Sequence, residues 1–166
     1  MWKFIGRSSQ KKGLPPGTLV HIGDKTADAT RILFIDYNSE SYNIKDVDEI
    51  DDSVITPKPD RVNWLDIVGL QRIDLMEKIG FAYRIHPLVM EAILNTGQRP
   101  KYEEWDAYAH LVLKLIHVDK ETYEVTPEQV SLILRDNMLL SFQTTEVDDF
   151  PAHVNRLMNT EGRTRR

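Results

Sequence analysis

The stretch HPLVMEAILNTGQRPKYEEWDAYAHLVLKLIHV, residues 86–118, changes its hydrophobic period halfway along, and this change decides the fold class. Pro87 fits the first turn of a helix, where its missing N–H is not needed. The apolar residues that follow at helical spacing are Leu88, Met90, Ile93 and Leu94. From residue 108 to residue 118 the side chains alternate with a period of two, which is typical of a strand. The stretch therefore predicts a helix followed by a sheet strand.

The sequence also indicates where this helix ends and how the strand is arranged. We expect the helix to cover residues 87–95, with Gly97 as a left-handed cap and Pro100 keeping Arg99 out of helical conformation. One face of the strand is entirely apolar and consists of Ala109, Leu111, Leu113 and Leu115. A strand with one fully apolar face belongs in a sheet rather than in an isolated hairpin.

Further strands are predicted on both sides of this stretch. Runs rich in β-branched and large apolar residues, bounded by turn residues, occupy residues 18–23, 30–38 and 62–70. Residues 129–135 and 138–143 read as a hairpin, because Asp136 and Asn137 between them both tolerate positive φ. The sequence TPEQ at 126–129 could instead cap a helix. We prefer the strand, because the run that follows is short and rich in β-formers.

Two more helices are indicated. In IDLMEKIG, residues 73–80, Ile73, Met76 and Ile79 fall on one helical face, and Gly80 is the expected stop. In DDFPAHVNRLMN, residues 148–159, Pro151 suits a first turn and an apolar stripe follows at Val154. We expect this last helix to continue beyond residue 166.

Composition limits the class of protein. The chain has 166 residues, of which 41% are hydrophobic, a length at which one domain buries about 70% of its unfolded surface. Lys and Arg number 21 against 26 Asp and Glu, a balance that argues against a nucleic-acid partner. The absence of cysteine excludes disulfides, thiolate nucleophiles and Cys-type zinc sites. No stretch approaches the ~20 apolar residues of a membrane span, so we expect a soluble chain.

The spacing of the candidate residues does not fit a catalytic site or a metal site. DVDEIDD, residues 46–52, lacks the glycine and final glutamate of a calcium loop and is interpreted as a solvated acidic turn. His110 and His117 are seven apart on a strand, so they face opposite sides. His86 lies five residues before Glu91, which is not a ligand spacing on a helix, and we interpret it as the residue that starts the helix. We therefore predict that the chain is not an enzyme, with an acidic metal-dependent hydrolase as the weakest alternative.

Five motifs occur in order along the chain: KKGLPPGTLV, VNWLDIVGL, IHPLVMEAILNTGQRPKYEEWDAY, LVLKLI, and EQVSLIL followed by SFQ. In order and spacing they resemble the cytoplasmic N-terminal domain of the CorA family of divalent-cation transporters. The resemblance covers residues 11–163 and is most specific in the HPL, ILN and QRPK segments. It implies an α/β (α+β) fold, an α/β/α sandwich whose mixed, largely antiparallel sheet is flanked by helices.

The resemblance also implies a domain organisation, partners and a location. We expect a mobile segment at residues 1–13, the α/β/α domain at 14–145, and at 146–166 the start of a helix leading to a long helix and two membrane helices outside this sequence. The full-length protein would be a homopentamer at the cytoplasmic face of the cell membrane, whereas the fragment alone could be monomeric. The ion carried would be Mg2+, and also Co2+ or Ni2+, with no organic cofactor.

One residue is implicated in metal binding by the resemblance. In the family, acidic residues of the helix at 87–95 help to form an inter-subunit regulatory Mg2+ site, and Glu91 occupies one of these positions. The neighbouring position, usually Asp, is Ala92 here, which provides no ligand. The alternative for Glu91 is an ordinary solvated helix residue. Likewise, in KYEEWDAY, residues 101–108, we expect Trp105 and Tyr108 to pack. The acidic residues Glu103, Glu104 and Asp106 are expected to face water.

Two other functions stay open at this point. One is the zinc-transporting branch of the same superfamily, since the residues that would separate the branches lie mostly outside this sequence. The other is a stand-alone soluble domain that binds a small ligand or a protein, which is motivated by the absence of a membrane span.

Overall fold

The computed structural model describes residues 13–23, 29–145, 154–156 and 158. Residues 13–145 of this description contain seven strands and three helices, and residues 154–156 and 158 are helical as well. The strands are β1 Arg31–Tyr37, β2 Tyr42–Asp46, β3 Val62–Val68, β4 Lys101–Trp105, β5 Tyr108–Val118, β6 Val125–Arg135 and β7 Met138–Gln143. The helices are α1 Asp52–Ile55, α2 Ile73–Ala82 and α3 Pro87–Leu94. The predicted outer segments at 1–13 and 146–166 lie almost entirely outside the described residues, so their boundaries stay predictions.

All seven strands join one sheet in the order β2-β1-β3-β7-β6-β5-β4. Every neighbouring pair is antiparallel except β3 and β7, which run parallel. A parallel pair needs a long connection between its strands, and here that connection contains α2, α3 and the strands β4 to β6. The predicted mixed, largely antiparallel sheet is confirmed.

Helical residues lie against both faces of the sheet. On one face α2 and α3 cover the main core, whose members include Phe34, Leu65, Met76, Ile79, Met90, Ile93, Leu140 and Phe142. On the opposite face Ile35 and Trp64 form a smaller cluster, and Val154, in the helical residues 154–156, packs against it. The fold is therefore the α/β/α arrangement expected from the resemblance.

The long hairpin and the strands beside it agree closely with the sequence. β1, β3, β5 and β7 occupy the runs expected at 30–38, 62–70, 108–118 and 138–143. Residues 126–129 belong to β6, so the prediction of a strand there in place of a helix cap is confirmed. Asp136 has φ 44° in the turn between β6 and β7, so the hairpin turn is confirmed too.

The strand predicted at residues 18–23 is wrong. Only Ile22 makes a bridge, parallel to Asn95, and residues 18–21 are not in a strand. The Ile22 N–H donates to the Leu94 carbonyl at 2.9 Å, so this segment hydrogen-bonds to the end of α3. Its β-branched residues lie beside a helix instead of joining the sheet.

The predicted stop of α2 at Gly80 is also wrong, because the helix continues to Ala82. Gly80 is buried within it, and a Cβ built there would lie 3.0 Å from Met90 Cγ on α3. A glycine inside a helix can serve close packing as well as termination. Here the missing side chain lets α2 and α3 approach one another.

The predicted alternation of side chains along β5 is confirmed, but the entirely apolar face of this strand is not the buried face. Tyr108, His110 and Val112 are buried under the helices, whereas Leu113 on the apolar face is 40% exposed. The helices therefore cover the face of β5 that contains a histidine.

Candidate functional site

Helix α3 contains the candidate residue Glu91, and its start is fixed by aromatic and imidazole contacts. His86 is the N-cap, and its Nδ1 accepts a hydrogen bond from the Leu88 N–H at 3.2 Å. Its own backbone N–H donates to the Tyr108 hydroxyl at 2.9 Å, and its ring lies 4.8 Å from that of Trp105. The interpretation of His86 as the residue that starts the helix is confirmed.

The carboxylate of Glu91 lies against the N-terminal segment of the same chain. The Gly17 N–H donates to Glu91 Oε2 at 2.7 Å, a charge-assisted hydrogen bond of the stronger kind. Gly17 has φ +84°, and a Cβ built on it would lie 3.1 Å from Pro87 Cβ at the start of α3. Both the backbone conformation and the close contact therefore favour a glycine at this position.

Beside this hydrogen bond is a cavity of about 270 Å³, lined by Leu14, Pro15, Pro16, Thr18, Leu88 and Glu91. Glu91 contributes the carboxylate of this lining, Thr18 contributes a hydroxyl, and the other side chains are apolar. Ala92, next to Glu91 on α3, has no side chain that could bind a metal ion.

The other end of α3 is held by polar residues of β5 and β6 that the sequence analysis did not single out. Lys114 Nζ donates to the Thr96 carbonyl at 2.7 Å and to Gln129 Oε1 at 3.2 Å. Gln129 Nε2 donates in turn to the Asn95 carbonyl. Burial lowers the pKa of the Lys114 ammonium. These side chains satisfy the carbonyls of Asn95 and Thr96, which follow the last helical residue Leu94. Gly97 does not have positive φ, so the expected left-handed cap at Gly97 is wrong.

Strands β4 and β5 hold a second polar cluster under the helices. His110 is fully buried, and its Nδ1 lies 3.1 Å from Glu103 Oε2, which also pairs with Lys101 at 2.8 Å. Burial lowers the pKa of the His110 imidazole, and its hydrogen bond to the Glu103 carboxylate only partly opposes this. Glu103 is only partly solvated, since 39% of its side chain is exposed while its carboxylate contacts Lys101 and His110. Glu104 and Asp106 are exposed as expected.

The structure does not gather the titratable residues into a metal centre within the described part of the chain, where no three His, Asp or Glu side chains form a group that could hold an ion. Asp46, Asp48 and Glu49 of the acidic turn are exposed around the buried Val47, as predicted for a solvated turn. Every helix of the described residues is too short or too polar to span a bilayer.

Comparison with known proteins places the chain in one family. Residues 59–166 match the family described as CorA-like Mg2+ transporter protein. The "Cobalt/magnesium transport protein CorA" of Thermotoga maritima is 38% identical over 156 residues, which is 94% of this chain and 44% of that protein. The chain therefore spans less than half the length of this relative.

Solved structures share the fold at low sequence identity. The full-length CmaX protein matches with a TM-score of 0.65 at 10% identity, covering 84% of this chain and 42% of that one. The ZntB cytoplasmic domain from Vibrio parahaemolyticus matches with 0.58 at 11%, covering 79% and 51%. The soluble domain of CorA from Methanocaldococcus jannaschii matches with 0.52 at 15%, covering 77% and 46%. By its family match and its relative in Thermotoga maritima, the chain belongs to the CorA-like Mg2+ transporter family and is an N-terminal domain of that family.

Proposed function

We propose that this chain is the cytoplasmic N-terminal domain of a homopentameric membrane protein that transports Mg2+, and also Co2+ or Ni2+. The observation that carries the proposal is the 38% identity over 94% of the chain to a protein named for cobalt and magnesium transport. Transport itself would be performed by membrane helices outside this sequence. The domain contributes regulation and no catalytic step.

The regulatory role is proposed for Glu91. Its carboxylate borders a cavity between α3 and residues 14–18, and Mg2+ prefers carboxylate oxygens as ligands. A cation shared between Glu91 and a carboxylate of a second copy would neutralise the repulsion between acidic subunits. The chain carries a net charge of −5. Such a cation would stabilise the closed arrangement only to the extent that it binds that state more tightly than the open one.

A chimera tests the transport proposal. The matching part of the Thermotoga maritima protein is replaced by this chain, and the chimera is expressed in cells that cannot grow in low Mg2+ without an added transporter. We expect growth in low Mg2+ and uptake of Mg2+ and Co2+. The control is the same chimera with Ile67→Asp, which places a charge in the main core and should abolish folding of the domain.

Three outcomes separate the candidate functions. Uptake of Mg2+ supports the proposal, and uptake of Zn2+ without Mg2+ would assign the chain to the zinc-transporting branch. A chimera that reaches the membrane as a folded pentamer and transports neither ion would favour the stand-alone binding domain.

The regulatory part has its own test in the same chimera. Raising Mg2+ inside vesicles that contain the chimera should inhibit further uptake, and Glu91→Ala should shift this inhibition to higher Mg2+. Glu77→Ala, on α2 and exposed, is the matched control and should leave the inhibition unchanged. An unchanged inhibition curve for Glu91→Ala would remove Glu91 from the sensor.

A further inference from the structure

The cavity of about 270 Å³ between helix α3 and residues 14–18, here called the groove, has a mostly apolar lining. Its apolar side chains are all exposed, and they are Leu14, Pro15, Pro16 and Leu88. The two polar residues of the lining are Thr18 and Glu91. A lining of this kind, with one carboxylate beside apolar side chains, fits a ligand that combines an apolar group with an organic cation.

The wall of the groove opposite α3 is formed by a turn. The Thr18 N–H and the Thr18 hydroxyl both donate to the Pro15 carbonyl, at 3.2 Å and 2.7 Å. Pro16 is followed by Gly17 with φ +84°, which is the residue pattern of a type II turn. Because this wall is already ordered, binding of a ligand costs less conformational entropy there.

Glu91 supplies the negative charge of the groove. Its Oε2 accepts a hydrogen bond from the Gly17 N–H at 2.7 Å. A carboxylate has two oxygens with about four acceptor positions between them. The hydrogen bond from Gly17 and an ion pair with a Lys or Arg side chain are therefore compatible on Glu91, and such an ion pair makes charge-assisted hydrogen bonds.

The chain itself contains a segment of matching chemistry directly before the groove. Residues 1–12, MWKFIGRSSQKK, include four of the 21 Lys and Arg residues and none of the 26 Asp and Glu residues. The same segment contains the large apolar residues Trp2, Phe4 and Ile5. The intervening GRSSQ has a glycine and two serines, which favour turns. The segment is thus basic, apolar at its start and able to reverse direction.

We propose that residues 1–12 of this chain fold back and dock in the groove. The ring of Trp2 or Phe4 then packs against Leu14 and Leu88, and a Lys or Arg side chain of the segment pairs with the Glu91 carboxylate. Closing this loop costs little entropy, because the segment is short and is joined to the wall of the groove. The inference does not rest on the regulatory role proposed for Glu91, since it needs no metal ion and no second copy.

The two parts of the contact contribute differently. Burial of one large aromatic side chain favours docking more strongly than one partly exposed ion pair does. The ion pair contributes mainly to specificity, because it favours a basic segment and disfavours an acidic one. An apolar segment without positive charge would therefore dock less well than residues 1–12.

The experiment uses the 166-residue chain and nuclear Overhauser effects, which report close contacts between protons. We expect contacts between the Leu88 methyl groups and the ring of Trp2 or Phe4. Replacing both rings, by Trp2→Ser with Phe4→Ser, should move the Leu88 methyl signals. The matched control is Phe81→Ser, which removes a ring that is 89% exposed on α2 and should leave the contacts of Leu88 unchanged.

Glu91→Gln tests the charge separately, because the glutamine oxygen can still accept the hydrogen bond from Gly17. We expect this variant to lower the ratio of docked to undocked segment by about two- to fivefold, as for the loss of one partly exposed ion pair. The contacts to Leu88 should weaken accordingly. Glu77→Gln makes the same change of charge at an exposed residue of α2 and should leave the contacts as strong as before.

Three results would overturn the proposal. The first is the absence of contacts between residues 1–12 and Leu88, and the second is contacts of equal strength in Glu91→Gln and the unsubstituted chain. The third comes from a sample that mixes isotope-labelled and unlabelled chains, in which contacts between differently labelled chains would assign the groove to a second copy. These measurements contain no Mg2+, so the transport and regulatory proposals are decided separately by the chimera.

Discussion

At the scale of single residues, Asp36 illustrates how a buried charge is satisfied in this fold. It is fully buried on β1, forms an ion pair with Arg61, and accepts hydrogen bonds from Lys58 Nζ at 3.0 Å and Asn43 Nδ2 at 3.1 Å. Burial alone would raise the pKa of Asp36, but the hydrogen bonds from Lys58 and Asn43 and the two positive charges outweigh it and lower the pKa. Asp36 thus ties the loop before β3 to β1.

We predict that Asp36→Asn destabilises the fold by about 3 kcal/mol, because it leaves the Arg61 guanidinium buried without a counter-charge. The Arg61 side chain is only 15% exposed. Urea unfolding measures the change in the free energy of unfolding. The matched control is Asp74→Asn, which breaks the pair with Arg72 at 2.7 Å, where the two side chains are 60% and 53% exposed. This surface pair should be worth less than about 1 kcal/mol, so equal losses in the two variants would contradict the prediction.

A second residue-scale prediction concerns His110 and pH. Burial lowers the pKa of His110 in the folded chain, whereas an unfolded histidine titrates near 6.5. The unfolded chain therefore binds the proton first as pH falls, so the contribution of neutral His110 to stability is present above about pH 6.5 and is lost below it. The groups that face His110 are Glu103 and Lys101. The hydrogen bonds from Lys101 and His110 lower the pKa of Glu103 despite its partial burial, so the stability that Glu103 contributes is lost only at more acidic pH.

The measurement is the free energy of unfolding at about pH 7 and at about pH 5.5. Between these two pH values one such histidine can lower the free energy of unfolding by at most about 1 kcal/mol. His110→Gln should reduce the loss of stability over this range. His117→Gln, on the same strand with a side chain 40% exposed, should reduce it less. The same pH dependence in both variants would show that His110 does not titrate as its burial requires.

Single-residue roles were the hardest to predict from the sequence. The start of α3 at His86 and Pro87 was predictable because capping is local. The partner of Glu91, Gly17, is 74 residues away in the chain, and no local pattern links a carboxylate on a helix to a distant turn. His110 was on the face of β5 that appeared less apolar, so its burial could be known only from the position of the helices.

At the scale of elements, the packing of α2 on α3 depends on Gly80. Two effects of Gly80→Ala oppose each other. Alanine favours a helix interior by about 1 kcal/mol over glycine, but a Cβ at this position would lie 3.0 Å from Met90 Cγ and 3.4 Å from its sulfur. Met90 is 2% exposed and cannot move into solvent, and overpacking a core costs about 1–3 kcal/mol.

We therefore predict that Gly80→Ala destabilises the domain by about 1 kcal/mol. The second variant is Met90→Ala, which removes the colliding side chain and leaves a cavity. In the double variant Gly80→Ala should be stabilising relative to Met90→Ala alone, since the clash is gone and the helix preference remains. Additive effects of the two substitutions in thermal unfolding would show that the glycine is not there for close packing.

Whether a strand could be predicted from the sequence depends on its position in the sheet. The inner strands β1, β3 and β7 are apolar and were recognised as such, and so was the long β5. The strands β2 and β4 were not expected, because YNIKD and KYEEW are polar and mostly exposed. Both are edge strands, and edges carry charged residues that discourage pairing with other chains. Their sequences therefore resemble loops.

At the scale of the whole molecule, the question is how the sheet face opposite α2 and α3 is covered. Ile35 and Trp64 are buried there, with 0% and 7% exposure, and Val154 is the described helical residue that packs against them. Trp64 Nε1 also donates to Ser141 Oγ at 2.7 Å. This buried hydrogen bond is stronger when water is excluded from this face of the sheet. The second helical layer of the α/β/α architecture is thus represented among the described residues by residue 154 and its helical neighbours.

We predict that Val154→Ser destabilises the domain by about 1 kcal/mol, because it removes apolar cover from this cluster. Val118→Ser is the matched control, since the same substitution is made at a valine that is 53% exposed on β5 and should change stability by less than about 0.5 kcal/mol. Fluorescence of the tryptophans during urea unfolding gives both stabilities. If the two serine variants unfold at the same urea concentration, residue 154 does not stabilise this face of the sheet.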